Sequence, residues 1–236
     1  MSGHSKWATT KRAKAVTDAK RASQFTRLSH AVTLAAREKG GDPSINFSLR
    51  LAIEKARSGN MPKENIERAV KRGTGELEGY HVEEIFYEGY GPGGVACIVK
   101  VLTDNKNRSV SEIKHIFIKH GGSLGGAHSV LWMFKKRGSI GIQGTLPQDM
   151  ELKLIELGVC DSEQSDDGIL LITLPEHLQC IKEELEKNGI IPEYVELEYH
   201  PNTTITVNPE TRAMLQKLFA ALEDLDDVVD YYTNLL

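Results

Sequence analysis

Apolar residues recur at helical spacing from Asp18 onward, with Ala22, Phe25, Leu28, Val32 and Ala35 sharing one face. Gly40-Gly41 ends that pattern, and Asp42-Pro43-Ser44 opens a second run with Leu49, Ala52, Ile53 and Ala56 on one side. Gly59-Asn60 breaks it, and Met61-Pro62 starts a third, where the missing proline N–H costs nothing. Glu64 and Glu67 lie early in this third segment and Lys71-Arg72 lie late, the order a helix dipole favours; Gly73 and Gly75 close it. Three helices are therefore predicted over residues 18–73, after an extended polar arm at residues 1–16.

Beyond Gly79 the period shortens to that of strands. Glu84–Tyr90 and Val95–Leu102 read as strands joined by Gly91-Pro92-Gly93-Gly94, Asn107–His120 as a helix, and Ser129–Lys135 as a further strand. Then come a strand at Ser139–Gln143, a helix at Pro147–Leu157, strands at Val159–Glu163 and Gly168–Leu174, a helix at Glu176–Asn188 and a strand at Glu193–Tyr199. That βαββαβ order fits a ferredoxin-like sandwich. A helix at Pro209–Leu222 and a strand at Val228–Tyr232 finish the chain, and such a lone pair cannot bury its own apolar face. The preceding ββαβ block lacks a pair of this kind, so residues 205–236 are expected to return to it. The predicted fold class is α+β: an N-terminal three-helix unit followed by two α/β sandwich domains (ferredoxin-like), the second inserted in the first. The expected domains are 1–75, basic and helical; 76–135 plus 205–236, the middle α/β domain; and 136–204, the inserted ferredoxin-like domain.

Charge changes this picture from a fold into a function class. The first 75 residues hold 16 Lys/Arg against 6 Asp/Glu, a net of +10, while the remaining 161 hold 13 against 27, a net of −14. A basic block on an acidic body suits a polyanion-binding head, and nucleic acid is the first expectation. Lys6, Lys11, Arg12 and Lys14 lie in the arm, with Trp7 beside Lys6 either stacking on a base or capping the small helical core. Lys20, Arg21 and Arg27 lie on the first helix away from its apolar face. Arg68, Lys71 and Arg72 cluster at i, i+3, i+4 on the third. Cations so placed neutralise phosphates without reading bases. Lys106 and Arg108, in Asn105-Lys-Asn-Arg108 ahead of a helix, fit either an anion site or a simple N-cap.

Other chemistry finds little support. Gly89-x-Gly91-x-x-Gly94 matches a dinucleotide fingerprint in letters only, because a strand follows it where a helix is required. The acidic loop Asp161–Gly168 places Asp166 where a calcium loop needs glycine. Cys97, Cys160 and Cys180 are widely spaced and odd in number, so neither a zinc cluster nor a disulfide framework is expected, and reduced buried thiols are. No metal, no cofactor and no catalytic residue is assigned, and no small-molecule substrate is implied. No run of about 18 apolar residues occurs and the N-terminus has no apolar h-region, so no membrane partner and no secretory signal are expected, and the cytoplasm is the expected location.

Residues 2–7 (SGHSKW), 18–26 (DAKRASQFT), 40–43 (GGDP), 60–75 (NMPKENIERAVKRGTG), 86–94 (FYEGYGPGG), 103–109 (TDNKNRS) and 121–125 (GGSLG) resemble, in order, the YebC family. The likeness is strongest up to about residue 135; Ala127-His128 departs from the family's shorter polar lead into the next segment. The resemblance implies three domains, a helical one and two α/β ones. It implies a non-enzymatic regulator of gene expression, either a DNA-binding regulator of transcription or a translation factor binding ribosomal RNA at the ribosome, as with a mitochondrial translational activator of cytochrome oxidase. The residues tilt toward backbone contacts to RNA, since no helix opens with a base-reading Asn/Gln/Arg set. Two rival classes stay open: an enzyme using the cleft between the α/β domains, and an adaptor binding protein through the acidic face.

Overall fold

Three helices open the described chain: α1 (Asp18–Lys39), α2 (Phe47–Ser58) and α3 (Lys63–Gly73). There follow β1 (Glu83–Tyr90), β2 (Ala96–Thr103), α4 (Lys106–Lys119), β3 (Ser123–Leu124) and β4 (Phe134–Ile142). Then come α5 (Gln148–Glu156), β5 (Val159–Ser165), β6 (Gly168–Thr173), α6 (Leu178–Lys187), β7 (Tyr194–Pro201), α7 (Pro209–Glu223) and β8 (Val228–Thr233). The computed structural model describes residues 18–77, 82–165 and 168–236, with the backbone alone for 18–23 and 165. The predicted arm at 1–16 lies outside the described residues. The fold is α+β, as expected: three helices, then antiparallel sheets with helices.

The chain divides into two compact units, one of residues 18–133 with 205–235, the other of residues 134–204. In the first, Leu28, Val32 and Ala36 of α1 pack with Leu49 and Ala56 of α2 and Ile66 and Ala69 of α3. α1 stops at Gly40, whose φ of +88° closes the last turn cheaply only for glycine. The cap of α2 is Asn46 rather than the predicted Asp42–Ser44 segment. Its Oδ1 accepts from the Leu49 N–H at 3.0 Å, while its Nδ2 donates to the carbonyls of Ala35 and Gly40 at 2.8 and 2.7 Å. One fully buried amide thus closes α1 and opens α2 with every bond made. α3 lies close against α1 because residue 73 is glycine: a Cβ there would sit 2.3 Å from the Thr33 carbonyl. Thr33 Oγ1 donates to the Ala69 carbonyl at 3.0 Å across the same contact.

The sheet of this unit runs β3-β1-β2-β8, antiparallel throughout. Gly91 N–H bonds the Val95 carbonyl at 2.8 Å, so the glycine-rich stretch is the β1–β2 hairpin turn. β2 is central and buried on both faces, which explains its nearly unbroken apolar run. Cys97, Val99 and Val101 meet Ile113 and Phe117 of α4 and Leu215, Leu218 and Leu222 of α7. The other face of β2 lies toward α1. β8 pairs with β2 through Ile98↔Tyr232 and Val99↔Tyr231.

The second unit orders its strands β5-β6-β4-β7, the ferredoxin-like arrangement, again antiparallel. Ile140, Ile142, Leu154, Leu178, Ile181 and Leu185 are buried within it.

Two expectations are corrected. Ser129–Lys135 is not a strand: residues 131–133 form a 3₁₀ turn, and β4 runs from Phe134 straight through the predicted Ser139 strand. Glu88 is the cause. Its buried carboxylate accepts from the N–H groups of His128, Val130 and Leu131 at 2.7, 2.8 and 2.7 Å. The last two converge on a single oxygen, whereas successive N–H groups of a strand point to opposite sides. The third strand of the first sheet is instead the two residues Ser123–Leu124. Of the cysteines, Cys97 is buried and its thiol is pushed up to about 12 by desolvation, but Cys160 and Cys180 are exposed on the second unit. Thiol burial does not follow from residue type where a cysteine falls on a solvent-facing position.

Candidate nucleic-acid interface

The cations singled out in the sequence divide by what they touch. Lys6, Trp7, Lys11, Arg12 and Lys14 lie outside the described residues, as do the side chains of Lys20 and Arg21. Arg27 donates from Nη2 to the Glu223 carbonyl at 2.5 Å, at the C-terminal end of α7 where the helix dipole attracts a cation. Together with Arg37, which donates to the Val82 carbonyl at 3.0 Å, it ties α1 to the end of α7 and to the lead into β1.

Lys106 and Arg108 are also committed. Asn105 caps α4, accepting from the Arg108 N–H at 3.1 Å, and Lys106 Nζ pairs with Glu83 at 2.6 Å. Arg108 Nη2 reaches both oxygens of Asp227 at 3.0 and 2.9 Å, and Asp104 at 3.2 Å. Thr103 and Ser109 hydroxyls donate to the same Asp227 at 2.9 and 2.7 Å. This segment carries an N-cap and an ion-pair network that holds β2, α4 and the α7–β8 turn together.

Burial alone would raise the Asp227 pKa, but the bonds from Ser109, Arg108 and Thr103 outweigh it and hold the carboxyl below its ordinary value. A depressed carboxylate stabilises the fold fully above its unfolded pKa, near 3.9, and that stabilisation is lost as the pH falls through the lower folded value. Asp227→Asn is therefore expected to lower the urea midpoint at neutral pH and to flatten its decline below about pH 4. Parallel acid limbs for the two proteins, measured from pH 5 downward, would remove Asp227 from this role.

Arg68, Lys71 and Arg72 differ from all of these. Among the described residues their side chains make no hydrogen bond and no ion pair with a carboxylate. Arg68 and Arg72 line an open groove of about 300 Å³ between α1 and α3, while Lys71 is exposed and outside it. Asn65, Arg68 and Arg72 fall at i, i+3, i+7, one stripe of α3; Lys71 is one position off that stripe. Facing them from α1 are Phe25, Ser29 and His30.

His30 joins the groove to the sheet. Its ring bonds the Leu102 backbone, and its Nδ1 is buried with no hydrogen-bond partner. Burial lowers its pKa, aided by the neighbouring Arg72 and opposed by the Leu102 bond, Asp227 and Asp104. The neutral imidazole is thus favoured. Reading by charge passes over Phe25, Ser29, His30 and Asn65; only the 65–68–72 spacing is visible in the sequence.

No helix among the described residues is long and apolar enough to cross a membrane. Residues 5–76 match the family model described as the TACO1/YebC protein N-terminal domain, and residues 82–235 match that of the TACO1/YebC second and third domain. A protein of Persephonella marina named "Probable transcriptional regulatory protein" is 50% identical over 242 residues, covering 99% of this chain and 95% of that one. One of the same name from Pseudothermotoga lettingae is 47% identical over 237 residues, covering 99% and 93%. The crystal structure of a conserved hypothetical protein from Aquifex aeolicus, 42% identical, superposes with a TM-score of 0.88 over 98% of this chain and 97% of that one. Two family models together spanning nearly the whole chain, and relatives this similar over their full length, place it in the TACO1/YebC family.

Proposed function

We propose that the chain is a non-enzymatic, cytoplasmic regulator of gene expression that binds nucleic acid through its basic N-terminal residues. Residues 1–75 form the binding head; residues 76–135 with 205–236, and residues 136–204, form the acidic bodies that carry it. The observation that supports this most is the contrast in pairing. Among the described residues Arg68, Lys71 and Arg72 have no carboxylate partner, whereas Lys106 and Arg108 are neutralised within the fold. Leaving three cations uncompensated on one helix keeps them available for phosphates. The relatives' names favour transcription, for which DNA is the partner we propose first.

Ribosomal RNA is a second reading, favoured by two features. The positive charge of α3 sits at its C-terminal end, away from the turn a recognition helix uses to read bases. The net of −14 beyond residue 75 repels a long duplex but is screened among ribosomal proteins and ions. In either case the contacts go to backbone. Replacing Arg68, Lys71 and Arg72 together by alanine is expected to weaken binding to unrelated sequences by similar factors. The slope of log K against log salt should fall by about 2 to 3. Anisotropy titrations with several duplexes and RNAs test this. Loss confined to one sequence would establish base readout instead, and undiminished binding by the variant would remove the head from the interface. Co-purification with ribosomes, with and without RNase, separates the two partners.

A further inference from the structure

We infer that the groove between α1 and α3 receives a single unstacked nucleotide, its phosphate held by Arg68 and Arg72 and its base lodged over Phe25 beside Asn65 and His30. This rests on the nucleic-acid reading above and narrows it to one site and one structural form of ligand.

Three features of the groove point the same way. Its size, about 300 Å³, is at the lower end of small-ligand sites and admits a nucleotide but no helix. Its lining is chemically divided. A bare phosphate needs only the two guanidiniums, yet Phe25 and Met61 add an aromatic face and an apolar wall, and Asn65 adds a donor and an acceptor together. The third feature is the open nitrogen of His30. His30 lines a groove that otherwise offers donors, and its buried Nδ1 has no hydrogen-bond partner. Burial favours the neutral ring, and a neutral imidazole carries one N–H and one lone pair. A backbone phosphodiester has no proton to give it; an amino or imino N–H of a base, or a ribose hydroxyl, does. An unpaired buried acceptor costs free energy until such a donor arrives. Arg72 beside it opposes protonation of the ring.

The test uses the full chain, following backbone amide resonances while titrating each of the four 5′-mononucleotides, the matching nucleosides, inorganic phosphate and a hexaglutamate peptide. At least one mononucleotide is expected to shift Phe25, Asn65, Arg68 and Arg72 together. It should bind between about five- and 150-fold more tightly than phosphate, the range that stacking one base contributes. Asn65→Ala, which keeps a good helix former on α3, is expected to weaken that nucleotide about fivefold or more and leave phosphate unchanged. Phosphate binding as tightly as every nucleotide, hexaglutamate saturating the same residues equally well, or shifts confined to residues outside the groove would each overturn the inference. In those cases, single-stranded oligonucleotides that still bind the chain, and lose affinity in the Arg68, Lys71 and Arg72 variant, leave the proposed function standing. Oligonucleotides that fail to bind at all defeat both.

Discussion

Removal of residues 209–236 is expected to unfold the β3-β1-β2-β8 sheet while the helices of residues 18–77 stay folded. Leu215, Leu218 and Leu222 of α7 are fully buried against β2 and α4, and Val228 of β8 is 2% exposed. Burying a side chain of this kind stabilises by about 1.5–3 kcal/mol, so the four contribute roughly 6–12 kcal/mol before entropy is subtracted. That matches the net stability of about 5–15 kcal/mol typical of a whole domain. Polar contacts go with them: Asn234 Oδ1 accepts from the Ala96 N–H at 2.9 Å, and Asp227 is the shared acceptor of Thr103, Arg108 and Ser109. The helical cluster is built from residues 28–69 and keeps that core, although α1 gives up the Arg27 bond to Glu223 and, with the sheet, the Arg37 bond to Val82. Amide hydrogen exchange reads the outcome directly. Protection surviving along Cys97–Val101 in the shortened chain would show that α7 and β8 are not what holds the sheet.

Glu88→Ala is expected to cost about 3–5 kcal/mol, the range for breaking a buried charged network. The side chain is 5% exposed and collects three backbone N–H groups, so its loss strands three donors in a site with little room for water. It also frees His128 from the positive φ of 63° in which it is held, a conformation uncommon outside glycine. Glu88→Gln keeps the volume but turns an amide N–H₂ toward N–H groups, and should recover only part of the loss. Trp132 lies in the turn that these bonds build, so its fluorescence during urea unfolding reports the change. A cost under about 1 kcal/mol for the alanine variant would mean the turn is held by its apolar residues instead.

Glu88 also shows where reading by pattern breaks down. SVLWMFK has the composition and alternation of a strand, and nothing within seven residues says otherwise. The instruction comes from a carboxylate some 40 residues earlier, brought alongside where β3 pairs with β1. Lys106 and Arg108 illustrate the same limit for charge. In the sequence they are two cations before a helix; in the fold their partners are Glu83, 23 residues upstream, and Asp227, 119 residues downstream. Arg68 and Arg72 look no different from them in one dimension, yet among the described residues they have no carboxylate partner.

The features legible before folding are local and periodic. The three helices of residues 18–73, the β1–β2 hairpin, the βαββαβ order of the second unit and the +10 head all rest on spacing of about 3.6 or 2 residues, on glycine and proline, or on counting charges. Those properties belong to the chain before it folds. The tertiary structure alone decided the pairing of distant groups: the Glu88 turn, the Asp227 network, and a groove whose walls come from α1 and α3. Hydrogen bonds and ion pairs act over about 3 Å, and only folding brings side chains from different elements within that distance.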